Sequence, residues 1–194
     1  AALDTGASLR ARFAGRPVLL CASTREGEEA LILDAWMRLT DRPARMLLAI
    51  VPRHPQRFDE VEQLVRARGL SLQRRSQMTD AAVDADVLLG DSMGEMFAYY
   101  AACDCAYVGG SLLPLGGQNL IEACALGKPV LVGEHTFNFL DATEEAVGAG
   151  AALRAPDADS LLALAVRLIC DADARTQMGI NAAQFASRHR GATL

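Results

Sequence analysis

Short apolar runs alternating with longer stretches of helical period constrain this chain more than any other feature. The runs at 17–21, 45–51, 86–90, 103–108 and 129–132 are too short for helices and nearly unbroken, as strands buried on both faces are. Weaker strands are read at 71–75 and 151–154. Between them, residues 29–39 space Leu31, Leu33 and Trp36 for a helix. Residues 55–69 carry Phe58, Val61, Leu64 and Val65 on one side and end on Gly69. Further helices are expected at 93–102, 119–126 and 141–149, with two more over 157–189. Strands separated by helices pair in parallel with helices on both sides, so the predicted class is α/β with a doubly wound, Rossmann-like parallel sheet. The 194 residues suit one such domain, and no repeat or linker divides them.

Ligands on such sheets sit outside the carboxyl ends of the strands. In this chain those positions are Ser23 and Thr24, Pro52 and Arg53, Asp91 to Glu95, and Gly109 to Asn119. Most of the unusual polar and glycine residues fall there. The net charge of −5 argues against a nucleic-acid backbone as principal partner. A nucleotide remains open, because one phosphate needs only one local cation. Lys128 is the sole lysine and precedes Pro129, which excludes the G-x-x-x-x-G-K-[ST] phosphate loop. The five cysteines are Cys21, Cys103, Cys105, Cys124 and Cys170; they are odd in number and form no C-x-x-C. They are expected to be reduced, buried thiols of a cytosolic protein. No apolar run reaches the ~20 residues of a membrane span, and no signal peptide is read. The chain starts on Ala1 without a methionine and reads as an excised piece of a longer protein.

The segment 109–122, G-G-S-L-L-P-L-G-G-Q-N-L-I-E, is the most informative. Two glycine pairs flank a loop that is expected to enter a helix near Gln118 or Asn119. Glycine allows close backbone approach, and the free N–H groups of a helix start favour a phosphate. Asn119 and Glu122, three residues apart, share one face, where a carboxylate can accept hydrogen bonds from ribose hydroxyls. A capping box with glycine turns explains the same residues. In P-R-H-P (52–55) two prolines fix the backbone around Arg53, whose planar fork suits a phosphate, although a solvated turn is the plainer reading. Asp91 to Glu95 offers Gly94 and Glu95 to a base, or else Asp91 and Ser92 as helix caps. Ser23 and Thr24 place hydroxyls at a helix start, and Glu26, Glu28 and Glu29 are read as complementing its dipole. The Asp-Ala-Asp pairs at 84/86, 157/159 and 171/173 look like caps and a turn before a strand, so no metal is expected. His54, His135 and His189 form no hydrolase triad with a Ser or Cys.

Taken together, 109–122 and G-K-P-V-L-V-G-E-H-T-F-N-F (127–139) resemble the 3-deoxy-D-manno-octulosonic acid (Kdo) transferases of lipopolysaccharide synthesis. A-S-T-R-E-G-E-E (22–29), P-R-H-P-Q-R-F (52–58) and D-S-M-G-E-M (91–96) match further motifs in the same order. The resemblance covers only the C-terminal domain of that family. It implies the two-domain GT-B architecture, with residues 1–194 as the CMP-Kdo-binding domain and the N-terminal acceptor domain absent from this chain.

The resemblance further implies an enzyme that moves Kdo from CMP-Kdo to lipid A precursor at the cytoplasmic face of the inner membrane. Pro52 and Arg53 are then expected to contact CMP, and Met93, Gly94 and Glu95 to line the cytosine and ribose. Asn119, Leu120, Ile121 and Glu122 are expected to hold ribose and phosphate, with Ser23, Thr24 and Gly117 close by. No catalytic residue, cofactor or metal is expected in this chain, so alone it is expected to bind CMP and transfer nothing. It departs from the family at Gln118, where many members have His, and at Ser92 and Arg25, where many have Thr and His. Two alternatives stand beside this reading: a GT-B transferase or epimerase that uses a UDP-sugar, and a non-catalytic nucleotide-binding module.

Overall fold

A computed structural model describes residues 2–192. Among these residues seven strands form one sheet: β1 (Val18–Thr24), β2 (Leu47–Pro52), β3 (Leu72–Arg74), β4 (Val87–Leu89), β5 (Cys105–Val108), β6 (Val130–Val132) and β7 (Ala152–Arg154). Their order is β3-β4-β2-β1-β5-β6-β7, and every pairing is parallel. Among the described residues eight α-helices accompany them: α1 (Ala2–Arg12), α2 (Glu28–Arg38), α3 (Phe58–Arg66), α4 (Met96–Ala102), α5 (Ile121–Ala125), α6 (Leu140–Gly148), α7 (Ala158–Cys170) and α8 (Ala172–Ala192).

The central strands read as unbroken apolar runs because both of their faces are covered. In β1, Leu19 and Cys21 enter one core with Ile32, Leu33 and Trp36 of α2 and Leu161 and Leu162 of α7. Val18, Leu20 and Ala22 point to the other core, with Tyr99 and Tyr100 of α4, Ala123 and Cys124 of α5, and Phe185 of α8. Strand alternation alone sorts the residues between the two layers. Four cysteines are buried as expected, whereas Cys170 is exposed at the end of α7.

Three elements differ from the sequence reading. The first helix, α1, carried no clear periodic signal, since Thr5 and Gly6 interrupt it. It docks through Leu9, and a Cβ built at Gly6 would come within 2.6 Å of Ala101 Cβ. Helices α4 and α5 start later than expected, at Met96 and Ile121, so Met93 to Glu95 and Gln118 to Leu120 remain as loop. The Asp-Ala-Asp pairs behave as read: Asp157 and Asp171 cap α7 and α8 by accepting from the Ser160 and Ala174 N–H groups, and Asp86 binds Ser71 beside β4.

Strand β1 lies between β2 and β5. The chain leaves β1 toward β2 and leaves β5 toward β6, so the winding reverses between them. A crevice opens at the carboxyl edge of a sheet at such a point.

Candidate functional site

The crevice is a cleft of about 600 Å³ lined by residues that follow four different strands. Ser23 and Arg25 come from β1, Pro52 and Arg53 from β2, Ser92 to Met96 from the loop after β4, and Gln118, Asn119 and Glu122 from the loop after β5. Tyr99, Tyr100 and Val108 form its floor. Eight of the residues expected from sequence therefore meet in one place: Ser23, Pro52, Arg53, Met93, Gly94, Glu95, Asn119 and Glu122. Four others do not line it. Thr24 is wholly buried and its hydroxyl has no partner among the described residues. Leu120 belongs to the core, Ile121 packs against it, and Gly117 is a buried hinge of the loop with φ +74°.

The loop after β5 is built differently from what glycine spacing suggests. Several of its amides are closed from within the domain. The Gly110 N–H donates to Glu28 Oε1 at 2.7 Å, and the Leu112 N–H donates to Glu28 Oε2 at 3.2 Å and to the Tyr107 hydroxyl oxygen at 3.0 Å. Glu28 also accepts from the Arg25 N–H at 2.8 Å and from the Tyr107 hydroxyl. This carboxylate is 0% exposed and is the internal anion that these N–H groups meet. Burial, together with the Glu28 charge and hydrogen bond, pushes the Tyr107 hydroxyl far up, so it stays a donor. The Gly117 N–H is closed onto the Gly110 carbonyl at 2.7 Å, and Ile121 N–H is capped by Asn119 Oδ1 at 2.9 Å. No bond between Asn119 and Glu122 completes a capping box, and α5 is only five residues long.

Glycine at 109 answers to a steric demand. A Cβ there would lie 2.3 Å from the Ser23 carbonyl oxygen, a backbone atom that cannot swing away. Ser23 itself takes φ +55° beside a register shift in β1, and its carbonyl accepts from the Gln118 side-chain amide. Gln118 thus ties the loop to the end of β1, a neutral bond for which a positive charge is not needed.

Glu29, read from sequence as helix-dipole complement, is also wholly buried and forms a two-pronged pair with Arg57 at 2.8 and 2.9 Å. That hydrogen bonding holds the Arg57 guanidinium charged. The local sequence carries no signal for this role, because Arg57 lies on another element. Glu26 alone of the three glutamates stays exposed.

The loop after β4 hangs from the edge strand. Asp91 accepts from Ser76 N–H and Oγ at 2.8 and 2.6 Å and pairs with Arg74 at 3.4 Å, so it does not cap α4. Ser92 shares a 2.5 Å hydrogen bond with the Tyr99 hydroxyl instead. Burial pushes the Glu95 carboxyl up, but the Arg75 fork and Ser92 outweigh it and hold it below its ordinary value. Met93 is 69% exposed. The guanidinium of Arg53 has no hydrogen bond or ion pair among the described residues, and Asn119 keeps its side-chain N–H groups unused. Among the described residues, no three His, Cys, Asp or Glu side chains gather as a metal-binding group, and no helix is long and apolar enough to cross a membrane.

No protein-family profile matches the chain. It is 52% identical over 183 residues to a 3-deoxy-D-manno-octulosonic acid transferase of Bordetella pertussis, an alignment covering 92% of this chain and 43% of that relative. The solved C-terminal CMP-Kdo binding domain of WaaA from Acinetobacter baumannii superposes with a TM-score of 0.88 at 33% identity, covering 95% of this chain and 97% of that domain. The chain belongs to the Kdo transferase family. It corresponds to the C-terminal domain and spans less than half the length of the Bordetella transferase. The C-terminal domain of the group 1 glycosyltransferase LpcC from Francisella tularensis shares the fold at TM-score 0.61 and 15% identity, covering 92% of this chain and 91% of that one. The sheet is parallel and doubly wound, as the strand and helix alternation implied, and is that of a GT-B C-terminal domain, as the resemblance implied.

Proposed function

We propose that residues 1–194 are the donor-binding domain of an enzyme that transfers Kdo from CMP-Kdo to lipid A precursor in lipopolysaccharide synthesis. The observation that carries this reading is the convergence of Arg53, Met93 to Glu95, Asn119 and Glu122 on one cleft from separate strand ends. The printed description of the Acinetobacter domain as CMP-Kdo binding supports it. The acceptor-binding domain and the catalytic base belong to an N-terminal part of the same enzyme, which acts at the cytoplasmic face of the inner membrane.

In this reading the nucleoside lies against the loops that enter α4 and α5. Met93 and Gly94 wall the cytosine, and Glu95 is held there by Arg75. The exposed Glu122 carboxylate accepts from the ribose hydroxyls, and Asn119 donates beside it. When the acceptor hydroxyl attacks the anomeric carbon, the bond to the phosphate oxygen breaks and CMP leaves with added negative charge. Arg53, which has no carboxylate partner to surrender, stabilises that charge through its planar fork. The first part of the loop after β5 supplies shape, since the Gly109, Gly110 and Gly117 N–H groups are committed to the Ala22 carbonyl, Glu28 and the Gly110 carbonyl.

Calorimetry on this chain tests the reading. CMP should bind and outcompete UDP. Arg53→Ala or Glu122→Ala should weaken CMP binding about tenfold or more, the scale of a lost charged hydrogen bond. No Kdo transfer is expected from this chain alone. Tighter binding of UDP, or wild-type affinity in both variants, would overturn the assignment.

A further inference from the structure

The cleft contains two basic side chains, Arg25 and Arg53. Neither guanidinium has a hydrogen bond or ion pair among the described residues, whereas Arg10, Arg57, Arg74 and Arg75 are all engaged by carboxylates. Both can therefore turn to an anionic ligand without giving up a carboxylate partner.

Their backbones leave the sheet side by side. Thr24 at the end of β1 is in register with Pro52 at the end of β2, and the Arg53 N–H donates to the Thr24 carbonyl at 2.9 Å. Arg25 and Arg53 are therefore the next residues on adjacent parallel strands, which run about 4.8 Å apart. The backbone of Arg25 is anchored from below by its N–H bond to the buried Glu28. Both arginines precede helices of one sheet face, α2 and α3, while the loops proposed to hold the nucleoside precede α4 and α5 on the other. One rim of the cleft is thus cationic, and the opposite rim faces the base and ribose.

A CMP-linked 2-ulosonic acid carries two anions on one carbon. Its anomeric centre bears both the sugar carboxylate and the oxygen of the phosphate ester. Resting on the donor reading above, we propose that Arg25 binds the carboxylate of the donor sugar acid while Arg53 takes the phosphate. Arg53 is given the phosphate because β2 pairs directly with β4, whose loop walls the base; Arg25 lies one strand further away. Arg25 is then a specificity-determining residue. It favours a sugar acid over nucleotide donors of neutral sugars, which have nothing to neutralise it.

The test is calorimetry of this chain and its Arg25→Gln, Arg25→Lys and Arg53→Gln variants, each titrated with CMP and with CMP-Kdo. Arg25→Gln should lose about tenfold or more in affinity for CMP-Kdo while affinity for CMP falls less than about twofold. Arg25→Lys should recover part of the loss, since it restores charge without the fork. Arg53→Gln should weaken both ligands. A circular dichroism melt of Arg25→Gln that matches the wild type separates a lost ligand contact from a lost fold; if it does not match, Arg25→Lys carries the comparison. Equal losses for both ligands in Arg25→Gln would place both arginines on the phosphate and overturn the proposal, as would unchanged binding of both. If the wild-type chain binds neither CMP nor CMP-Kdo, the donor reading itself fails, a result distinct from either of these.

Discussion

Between Gly109 and Gln118 the backbone is fixed at nearly every turn from inside the domain, whereas between Asp91 and Glu95 it is held mainly by side chains from the edge of the sheet. In the first loop, Gly109, Gly110, Leu112 and Gly117 N–H groups all have internal acceptors, and Ser111 bridges the Val108 carbonyl and the Gly133 N–H. In the second, Arg74 at the end of β3 and Arg75 and Ser76 just after it reach across, while Met93 and Gly94 lie exposed. One wall of the cleft is therefore held by backbone bonds within the domain, and the other by side chains, with Met93 and Gly94 left exposed between them. Segments with few buried contacts and exposed backbone are the ones that open at low free-energy cost. A rigid loop fixes where strand ends and arginines stand; an adjustable loop accommodates a flat base.

Substitutions separate the two walls by their cost to folding. Glu28→Ala should have the largest effect, because it strips the acceptor from three backbone N–H groups and the Tyr107 hydroxyl in a fully buried site. The expected loss is roughly 3 to 5 kcal/mol, read by urea unfolding. A loss below 1 kcal/mol would mean that the loop is not fastened through Glu28. Gly109→Ala comes next, at about 2 to 3 kcal/mol, because the added methyl meets the Ser23 carbonyl. It should also lower CMP affinity by displacing the end of β1, and stability equal to wild type would show that β1 and β5 can part cheaply.

Glu95→Gln, in the adjustable wall, should cost under about 1 kcal/mol at neutral pH, since the Arg75 pair is partly open to solvent. Its carboxyl is held below its ordinary value, so the folded state binds that proton less readily than the unfolded chain. The stabilisation is then complete above the ordinary glutamate range and disappears as pH falls through the depressed folded value. Wild type and Glu95→Gln should converge in stability at acid pH and differ most near neutrality. A gap that widens on acidification would contradict the Arg75 pairing.

Legibility in the sequence followed the range of the interactions involved. The strands and most helices were readable because burial on two faces produces unbroken apolar runs, and burial on one produces a helical period. The rim residues were readable because the topology puts the ends of parallel strands at one edge. The roles of Glu28 and Glu29 were hidden: their partners, Tyr107, Gly110 and Arg57, are remote in sequence, and two glutamates at a helix start look like dipole complement. The glycine loop was only partly readable for a related reason. Its spacing permits amides to face a ligand, but whether they do depends on which acceptor is at hand, and at Gly110 and Leu112 a carboxylate from α2 is.

By itself, then, the sequence determined the parallel sheet, the edge that carries the cleft and the family to which the chain belongs. Those follow from hydrophobic period and local motif, which are properties of neighbouring residues. Only the tertiary structure decided that the Gly110 amide is closed by Glu28 and that Arg25 and Arg53 leave adjacent strands without a carboxylate partner among the described residues. Hydrogen bonds and charge compensation are settled by which groups meet across the sheet, and that meeting exists only once the chain has folded.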